Sequence, residues 1–176
     1  MSKTLVVFFS RGDEEYNVGT VEVGNTAMMA GYIADYLKNA GQEVESFQVV
    51  PEQKYPTDYA SAIEVSKKEL SENARPAYKG EVENWDEYEK IFLGYPIWWG
   101  DLPMPLYTFI ERHDWAGKKV VPFNTHEGSG SAGTYVSLAE KLSGVEVEQR
   151  GLALSGKKAR TEEGRQQVEA WLKELI

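Results

Sequence analysis

The sequence predicts an α/β fold, a three-layer sandwich in which helices cover both faces of a parallel sheet of five strands. Strand-like and helix-like segments alternate along the whole chain, which is typical of parallel strands joined by right-handed crossovers. The strand-like segments are continuous apolar runs, as expected for strands covered on both faces. With 176 residues and no repeat or low-complexity linker, the chain is predicted to form one domain over residues 1–176.

Five short apolar segments predict the strands. The first, KTLVVFF, ends at a Ser-Arg-Gly sequence that suits a loop, and the second, EVESFQVV, is closed by Pro51. The third, fourth and fifth are EKIFLGY, KKVVPF and a stretch near the end of the chain. In order, the predicted strands are residues 3–9, 43–50, 89–95, 118–123 and 145–154.

Helices are predicted from apolar residues that recur at spacings of three and four. Met29, Ile33 and Leu37 follow this spacing in the first helix. Thr161, followed by two glutamates, indicates a capped and acidic start for the last helix, although Gly164 in its first turn is a mild cost. The predicted helices are residues 25–40, 59–70, 103–112, 133–142 and 161–175.

Composition excludes several classes of function. The chain has no cysteine, which rules out disulfides, thiol chemistry and cysteine-ligated metal centres, so redox work would require a bound cofactor. A net charge of −9 and a pI near 4.8 disfavour binding to nucleic acid or to an anionic membrane. The apolar run at residues 5–9 is too short for a signal segment or a membrane span, so a cytoplasmic location is expected.

In an open parallel sheet, ligands bind at the carboxyl ends of the strands, near the point where the strand order reverses. The loops after the first, third and fourth strands are therefore the candidate site. They contain SRG…GNT, YPIWWGDLP and NTHEGSGSAG, which are the least ordinary stretches of the chain. No acid–base, nucleophile or metal-ligand motif stands elsewhere in the sequence.

The first loop is suited to an anion. It begins with Ser10 and Arg11 and ends with Gly24, Asn25 and Thr26 at a helix start, where unpaired backbone N–H groups and the helix dipole favour negative charge. The hydroxyl and amide side chains add further donors for a phosphate. Ordinary helix capping by Asn25 or Thr26, with Arg11 as a surface charge, accounts for the same residues.

The second loop carries two adjacent tryptophans. Side chains that are neighbours in an extended segment point to opposite sides, so at least one of Trp98 and Trp99 is expected to face away from the core. A flat conjugated ring is a natural partner for an indole, and Gly94 and Gly100 allow the backbone to approach it closely. Two alternatives remain open, which are packing into a gap of the core and a protein interface.

The third loop offers closely spaced backbone N–H groups over residues 125–130, which suit the polar edge of a ligand. His126 is a candidate hydrogen-bond donor there, and simple solvation is the alternative. Gly128, Gly130 and Gly133 also form a G-x-G-x-x-G pattern typical of dinucleotide binding. That interpretation is disfavoured because only one strand and one helix follow, and because it leaves the tryptophans unexplained.

Together the three loops resemble the flavodoxin-like family of FMN proteins, and YPIWWGDLP and PFNTHEGSGSAG are similar to segments of a bacterial subgroup. The resemblance implies a five-stranded parallel sheet in the order 2-1-3-4-5, with FMN at its carboxyl edge. Residues 13–23 form an insertion in the first loop, whose alternating VGTVEV suggests a hairpin. The implied FMN-binding residues are Ser10, Arg11, Asn25, Thr26, Pro96, Ile97, Trp98, Trp99, Gly100, Thr125, His126, Gly128, Ser129 and Gly130.

The resemblance implies electron transfer through a non-covalent flavin, between a reductase and a low-potential acceptor protein. An aromatic pocket with Asp101 and Glu127 nearby would disfavour the anionic reduced flavin and lower its reduction potential. Two alternatives remain. One is an FMN-dependent NAD(P)H:quinone-type oxidoreductase on the same fold, and the other is a flavin-free interaction domain that uses the tryptophans as an interface.

Overall fold

A parallel sheet forms the middle layer of the computed structural model, which describes residues 2–175. Within that range no helix is long and apolar enough to cross a membrane. The strands are β1 (Lys3–Phe8), β2 (Asp13–Glu15), β3 (Gly19–Val21), β4 (Val44–Gln48), β5 (Tyr88–Pro96), β6 (Lys119–His126), β7 (Glu146–Val147) and β8 (Leu152–Ser155). The helices are α1 (Asn25–Asn39), α2 (Tyr59–Ser71), α3 (Met104–Arg112), α4 (Thr134–Lys141), α5 (Gly156–Ala159) and α6 (Glu162–Leu175), with one 3₁₀ turn at Trp85–Glu87.

The order of strands across the sheet confirms the sequence prediction. From one edge the order is β4, β1, β5 and β6, and both β7 and β8 pair with the far side of β6. Every pair in this sheet is parallel. Because β7 and β8 follow one another along β6, they are two halves of one fifth strand, and the predicted three-layer α/β/α sandwich with order 2-1-3-4-5 is present.

The fifth strand is broken in its middle, where the sequence predicted a continuous strand over residues 145–154. Pairing with β6 stops after Val120 and resumes at Phe123. Pro122 lies in this gap with its carbonyl against Gly151, and it has no N–H to donate to the neighbouring strand. The ring of Tyr135 also lies so close to Gly151 that a Cβ there would overlap it.

Two apolar layers lie on the two faces of the sheet, as the continuous apolar strands predict. Alternate residues of β1 enter different layers, so that Leu5 and Val7 pack on one face while Val6 and Phe8 pack on the other. The first layer is completed by α3 and α4, and the second by α1 and α6. The predicted helix stripe residues Met29, Ile33 and Leu37 are all fully buried in the second layer.

The insertion at residues 13–23 is a hairpin, as its alternation predicts. Its strands β2 and β3 pair antiparallel and form a separate two-stranded sheet. The hairpin contacts the segment before α2 through a backbone hydrogen bond from Glu14 N to Thr57 O of 3.2 Å. It therefore lies against the loop that follows β4, beside the carboxyl edge of the main sheet.

The start of α6 agrees with the predicted cap and explains its glycine. Thr161 Oγ1 accepts a hydrogen bond of 3.1 Å from the N–H of Gly164. A Cβ on Gly164 would overlap the carbonyl of Lys158, which belongs to α5. The sequence did not predict α5, a four-residue helix capped by Ser155. A glycine at position 164 therefore serves packing, because the absence of a side chain lets α6 begin directly against α5.

We predict that Gly94→Ala destabilises the fold while Gly31→Ala does not. A Cβ on Gly94 would overlap the buried ring of Phe123, so the substitution should lower the free energy of unfolding by about 1–3 kcal/mol. Gly31 lies inside α1 with open space around it, so alanine there should raise the free energy of unfolding by about 0.5–1 kcal/mol. Urea unfolding of both variants measures the difference, and equal stabilities would contradict this packing.

Candidate functional site

The loops that follow β1, β5 and β6 meet at the carboxyl edge of the sheet and enclose two adjoining clefts. A small cavity lies beside the start of α1, where Asn25, Thr26 and Thr125 line it. A larger cleft of about 200 Å³ lies between the tryptophan loop and α2. Both are lined by the same three residues, Arg11, Glu15 and Trp98. The two clefts therefore form one site with a polar corner and an aromatic end.

The polar corner is built on the start of α1. Gly24 is the N-cap residue and supplies no side-chain cap. Ser10 instead reaches across, and its Oγ accepts a hydrogen bond of 3.0 Å from the N–H of Ala27. A Cβ on Gly24 would overlap Ser10 Oγ and the Arg11 carbonyl, so this loop is a tight cradle around the helix start. The amides of the first helical turn have no intrahelical acceptor and provide an anion site.

Hydroxyl and amide side chains complete this corner. Thr26 Oγ1 and Thr125 Oγ1 share a buried hydrogen bond of 2.8 Å, which ties the start of α1 to the end of β6. Arg160 donates to the carbonyl of Val23 at 2.7 Å and to Asn25 Oδ1 at 3.2 Å. The guanidinium of Arg160 therefore orients the Asn25 amide and adds positive charge near the helix start.

Arg11 is buried and fastens the hairpin to the rest of the site. Only 7% of its side chain is exposed, and its terminal nitrogens donate to the carbonyls of Glu14, Pro56 and Thr57 at 2.6–2.9 Å and to Glu15 Oε1 at 3.1 Å. Its Nε is buried without a hydrogen-bond partner. Arg11 therefore mainly holds the hairpin against the segment before α2, and its Nε–H remains available to a ligand.

The tryptophan loop is a tight turn and not the extended segment that the sequence suggested. Trp98 and Asp101 exchange two backbone hydrogen bonds of 2.9 and 3.1 Å. The two residues between them, Trp99 and Gly100, have φ values of 55° and 73°. Positive φ at both central positions is the pattern of a type I′ turn, which rarely holds a bulky residue. The left-handed backbone of Trp99 costs about 1–2 kcal/mol, and such strain is concentrated at functional sites.

The two indoles have different surroundings. Trp98 is half-buried and packs edge-on against Phe9 and Tyr55, with ring centroids 5.1 Å apart in both pairs. Trp99 is 49% exposed, and its Nε1 donates to Ser66 Oγ of α2 at 3.1 Å. One indole therefore faces away from the core, as expected. The tight turn directs the two indoles to different surroundings, whereas the prediction from the sequence relied on the alternation of side chains in an extended segment.

The third loop is held by a buried polar network. Asn124 donates to the carbonyl of Gly130 at 3.0 Å and accepts from Tyr135 Oη at 2.6 Å. β6 extends to His126, so Thr125 and His126 lie on the strand end, three residues beyond the predicted end. His126 Nδ1 accepts from the N–H of Gly128 at 2.9 Å, and burial lowers the pKa of His126. The neutral ring then carries its proton on Nε2, which makes that nitrogen a donor.

Three carboxylates surround the site in different ways. Burial raises the pKa of Glu15 to about 7, against the opposing effect of Arg11. Burial also raises the pKa of Glu127, while Asn17, the Gly156 backbone and Lys157 act in the opposite direction. Asp101 accepts from Tyr107 Oη and from the N–H of Leu102, so it is held toward α3.

The structure brings most of the predicted binding residues together. The residues that line the two clefts are Ser10, Arg11, Asn25, Thr26, Pro96, Ile97, Trp98, Trp99 and Thr125. Those on the adjoining turn and loop, lining neither cleft, are Gly100, His126, Gly128, Ser129 and Gly130. Sequence analysis missed five residues that line the clefts, which are Glu15, Tyr59, Ala62, Ile63 and Ser66, and it also missed Arg160 beside the helix start. The hairpin pattern was a signal for Glu15, but the sequence offered none for Arg160.

The donor set fits a flat ligand that carries a phosphate. The start of α1 and the hydroxyls of Ser10 and Thr26 suit the phosphate, and Trp98 and Trp99 suit a ring. Fold and site together define a doubly wound α/β protein with its ligand cleft at the carboxyl edge of the sheet. A family model described as Flavodoxin matches residues 22–175. The chain belongs to the flavodoxin family.

Solved structures with the same fold include several flavoproteins. A provisionally assigned flavoprotein from Bacteroides eggerthii has a TM-score of 0.74 and 29% identity, with 98% of this chain and 97% of that chain covered. A provisionally assigned flavoprotein from Bacteroides uniformis has a TM-score of 0.71 and 28% identity, with 98% of each chain covered. A Lactobacillus acidophilus flavoprotein in complex with FMN has a TM-score of 0.66 and 20% identity, over 90% and 96% of the chains. Comparison with curated proteins finds no significant match.

We predict that Trp98→Ala lowers the free energy of unfolding by at least about 2 kcal/mol, because it empties the space between Phe9 and Tyr55. Trp99→Ala should change that free energy by less than about 1 kcal/mol, because this indole is half exposed. Urea denaturation of the two variants in the absence of flavin checks the contrast. Equal losses would show that Trp99 also supports the core.

Proposed function

We propose that this chain binds FMN non-covalently at the carboxyl edge of its sheet and transfers electrons through it between a reductase and an acceptor protein. When bound, FMN supplies the reversible uptake of one or two electrons. The observation that carries the proposal is the continuity of the two clefts, because one molecule can extend from the helix start to the tryptophans. Both family membership and the likeness to a flavoprotein in complex with FMN support it.

The residues at the polar corner would hold the phosphate. Ser10 can donate its hydroxyl proton to a phosphate oxygen while its Oγ still accepts from Ala27 N–H. Thr26 and Asn25 lie on the first turn of α1, where the backbone amides and the helix dipole favour an anion. Most of these donors are neutral dipoles, so a phosphate can bind to a protein of strongly negative net charge.

The residues at the aromatic end would hold the ring. Trp98 is fixed by edge contacts with Phe9 and Tyr55, so it offers a rigid surface at low entropic cost. Trp99 and Ile97 line the same cleft and limit the access of water. A rigid and water-poor cleft orients a planar ligand and strengthens the electrostatic effect of nearby charges.

Polar groups near the third loop would meet the edge of the ring. The neutral His126 can donate from Nε2, and the loop from His126 to Gly130 presents backbone N–H groups that few side chains cover. The Asn124 network fixes this loop before a ligand arrives, which lowers the entropic cost of binding. Glu127 adds an acidic group that disfavours further negative charge nearby, which supports a low reduction potential.

A redox partner protein is part of the proposal. The chain carries a net charge of −9, and Trp99 is exposed beside the cleft. An acidic surface with an aromatic residue at the mouth of the site suits a partner with a basic docking face. The association should then weaken as salt concentration rises.

We predict that Ser10→Ala raises the Kd for FMN by about tenfold or more, since a hydrogen bond to a charged group contributes about 1.5–3 kcal/mol. The Kd for riboflavin should change by less than about twofold, because riboflavin has no phosphate to accept a hydrogen bond from Ser10. Quenching of flavin fluorescence on titration measures both constants. Ser71→Ala, which removes an exposed hydroxyl from the end of α2, is the matched control. Failure of the wild-type protein to bind FMN would refute the proposal.

Electron transfer is tested with the FMN-loaded protein. We predict little oxidation of NADPH by this protein alone, because the proposed function places a reductase upstream, and rapid reduction of its flavin when a flavodoxin reductase is added. The absorbance of NADPH and of flavin follows the two reactions. Rapid NADPH oxidation and quinone reduction without any reductase would instead indicate the oxidoreductase alternative.

A further inference from the structure

The inserted hairpin places one carboxyl group inside the site. Successive side chains of β2 point to opposite sides, so that Glu14 is exposed while only 19% of the Glu15 side chain is exposed. Glu15 lines both the small cavity at the start of α1 and the larger aromatic cleft. This position is unexpected, because the same small cavity contains the donors that suit an anion.

Charged groups face Glu15 from several elements. Arg11, from the loop after β1, donates to its Oε1 at 3.1 Å. Asp13 of the same hairpin and Glu127 from the loop after β6 act on Glu15 as like charges, and Asp13 itself contacts Lys54 at 3.6 Å. Tyr59 of α2 lines the larger cleft, which Glu15 also lines. Burial is the strongest influence, and it raises the pKa of Glu15 to about 7 in the ligand-free protein.

We propose that Glu15 takes up one proton from solvent when the phosphate-bearing flavin binds, so that FMN affinity depends on pH through this residue. The inference rests on the proposed function, since it assumes that FMN is the ligand. It goes beyond that function by identifying a hairpin residue that couples binding to protons and distinguishes FMN from riboflavin.

The physical reason is the meeting of two anions in one small cavity. Above pH 7.5 a monoester phosphate is mostly a dianion, since its second pKa is about 6. A dianion beside the Glu15 carboxylate favours the protonated form of that carboxyl. Protonation also leaves the charge of Arg11 without its counter-ion, and the buried Nε of Arg11 has no hydrogen-bond partner. One proton thus changes the Arg11–Glu15 pair from neutral to positive, which favours the phosphate.

The pH dependence of flavin binding tests the inference. We predict that the wild-type Kd for FMN rises roughly tenfold per pH unit between pH 7.5 and 8.5, because the ligand-free carboxyl is then ionised and must be protonated before binding. Titration calorimetry at pH 8 in two buffers of different ionisation enthalpy should detect uptake of close to one proton per FMN. Riboflavin should bind without proton uptake and with a Kd that is constant over this range.

Three isosteric variants locate the proton. Glu15→Gln should abolish proton uptake and give an FMN Kd that is constant from pH 7.5 to 8.5. Glu14→Gln removes the same charge from the exposed side of the hairpin and should behave like the wild type. Glu127→Gln should also retain the uptake. His126 is neutral in this range because its pKa is lowered, and Tyr59 is protonated because burial raises its pKa, so neither group should contribute.

The outcomes separate this inference from the proposed function. FMN binding at pH 6.5 with no proton uptake at pH 8 would overturn the role of Glu15 and leave FMN binding intact. Uptake that persists in Glu15→Gln, or that disappears only in Glu127→Gln, would also overturn it. Equal uptake with riboflavin would show that the phosphate is not the cause. Absence of FMN binding at every pH would overturn the proposed function and this inference together.

Discussion

Parallel pairing of β1, β5 and β6 is the constraint on which the site depends. Phe8 pairs with Gly94, and Gly94 pairs with Phe123, so the three strands are in register near their carboxyl ends. Since parallel strands can be joined only by crossovers, each of these strands ends in a loop on the same edge. Gly94 allows the ring of Phe123 to lie against the backbone at this point. The register of the sheet therefore brings the separate loops together, and the hydrogen bond between Thr26 and Thr125 joins two of them directly.

Hydrogen bonds from two arginines hold the parts of the site that the apolar core does not reach. The hairpin takes no part in the two apolar layers, and Arg11 holds it by hydrogen bonds to carbonyls of the hairpin and of the segment before α2. Arg160 does the same at the start of α1. These two arginines bring positive charge to a corner of a protein with net charge −9. The main sheet fixes where the site lies, and the arginines determine which side chains enter it.

Much of the fold could be predicted because its causes are local. Apolar runs and helical spacing indicated the strands and helices, and the loops with unusual composition lie at the site. The break in the fifth strand could not be predicted, because it depends on which neighbour the Pro122 carbonyl faces. Two of the carbonyls that accept from Arg11, those of Pro56 and Thr57, are 45 and 46 residues distant in sequence, so the residue was interpreted as a phosphate ligand or a surface charge. Glu15 stands in an acidic DEE stretch that resembles an ordinary solvated strand.

The tryptophan turn shows another limit of sequence reasoning. A Trp-Gly pair is not a usual type I′ turn, so the extended interpretation was natural. The closing bonds between Trp98 and Asp101, and the anchor of Asp101 on Tyr107, hold the turn in spite of the left-handed backbone of Trp99. The anchor on Tyr107 requires α3 to be packed beside the loop. The shape of the loop is therefore a property of the assembled protein and not of the peptide.

The broken fifth strand also affects self-association of the protein. An uninterrupted border strand would display a row of free N–H and C=O groups that a neighbouring molecule could extend into a larger sheet. Here β7 offers two residues and β8 four, with a kinked stretch between them. Pro122, on the strand next to this border, thus helps to keep the protein from forming ordered aggregates through this side.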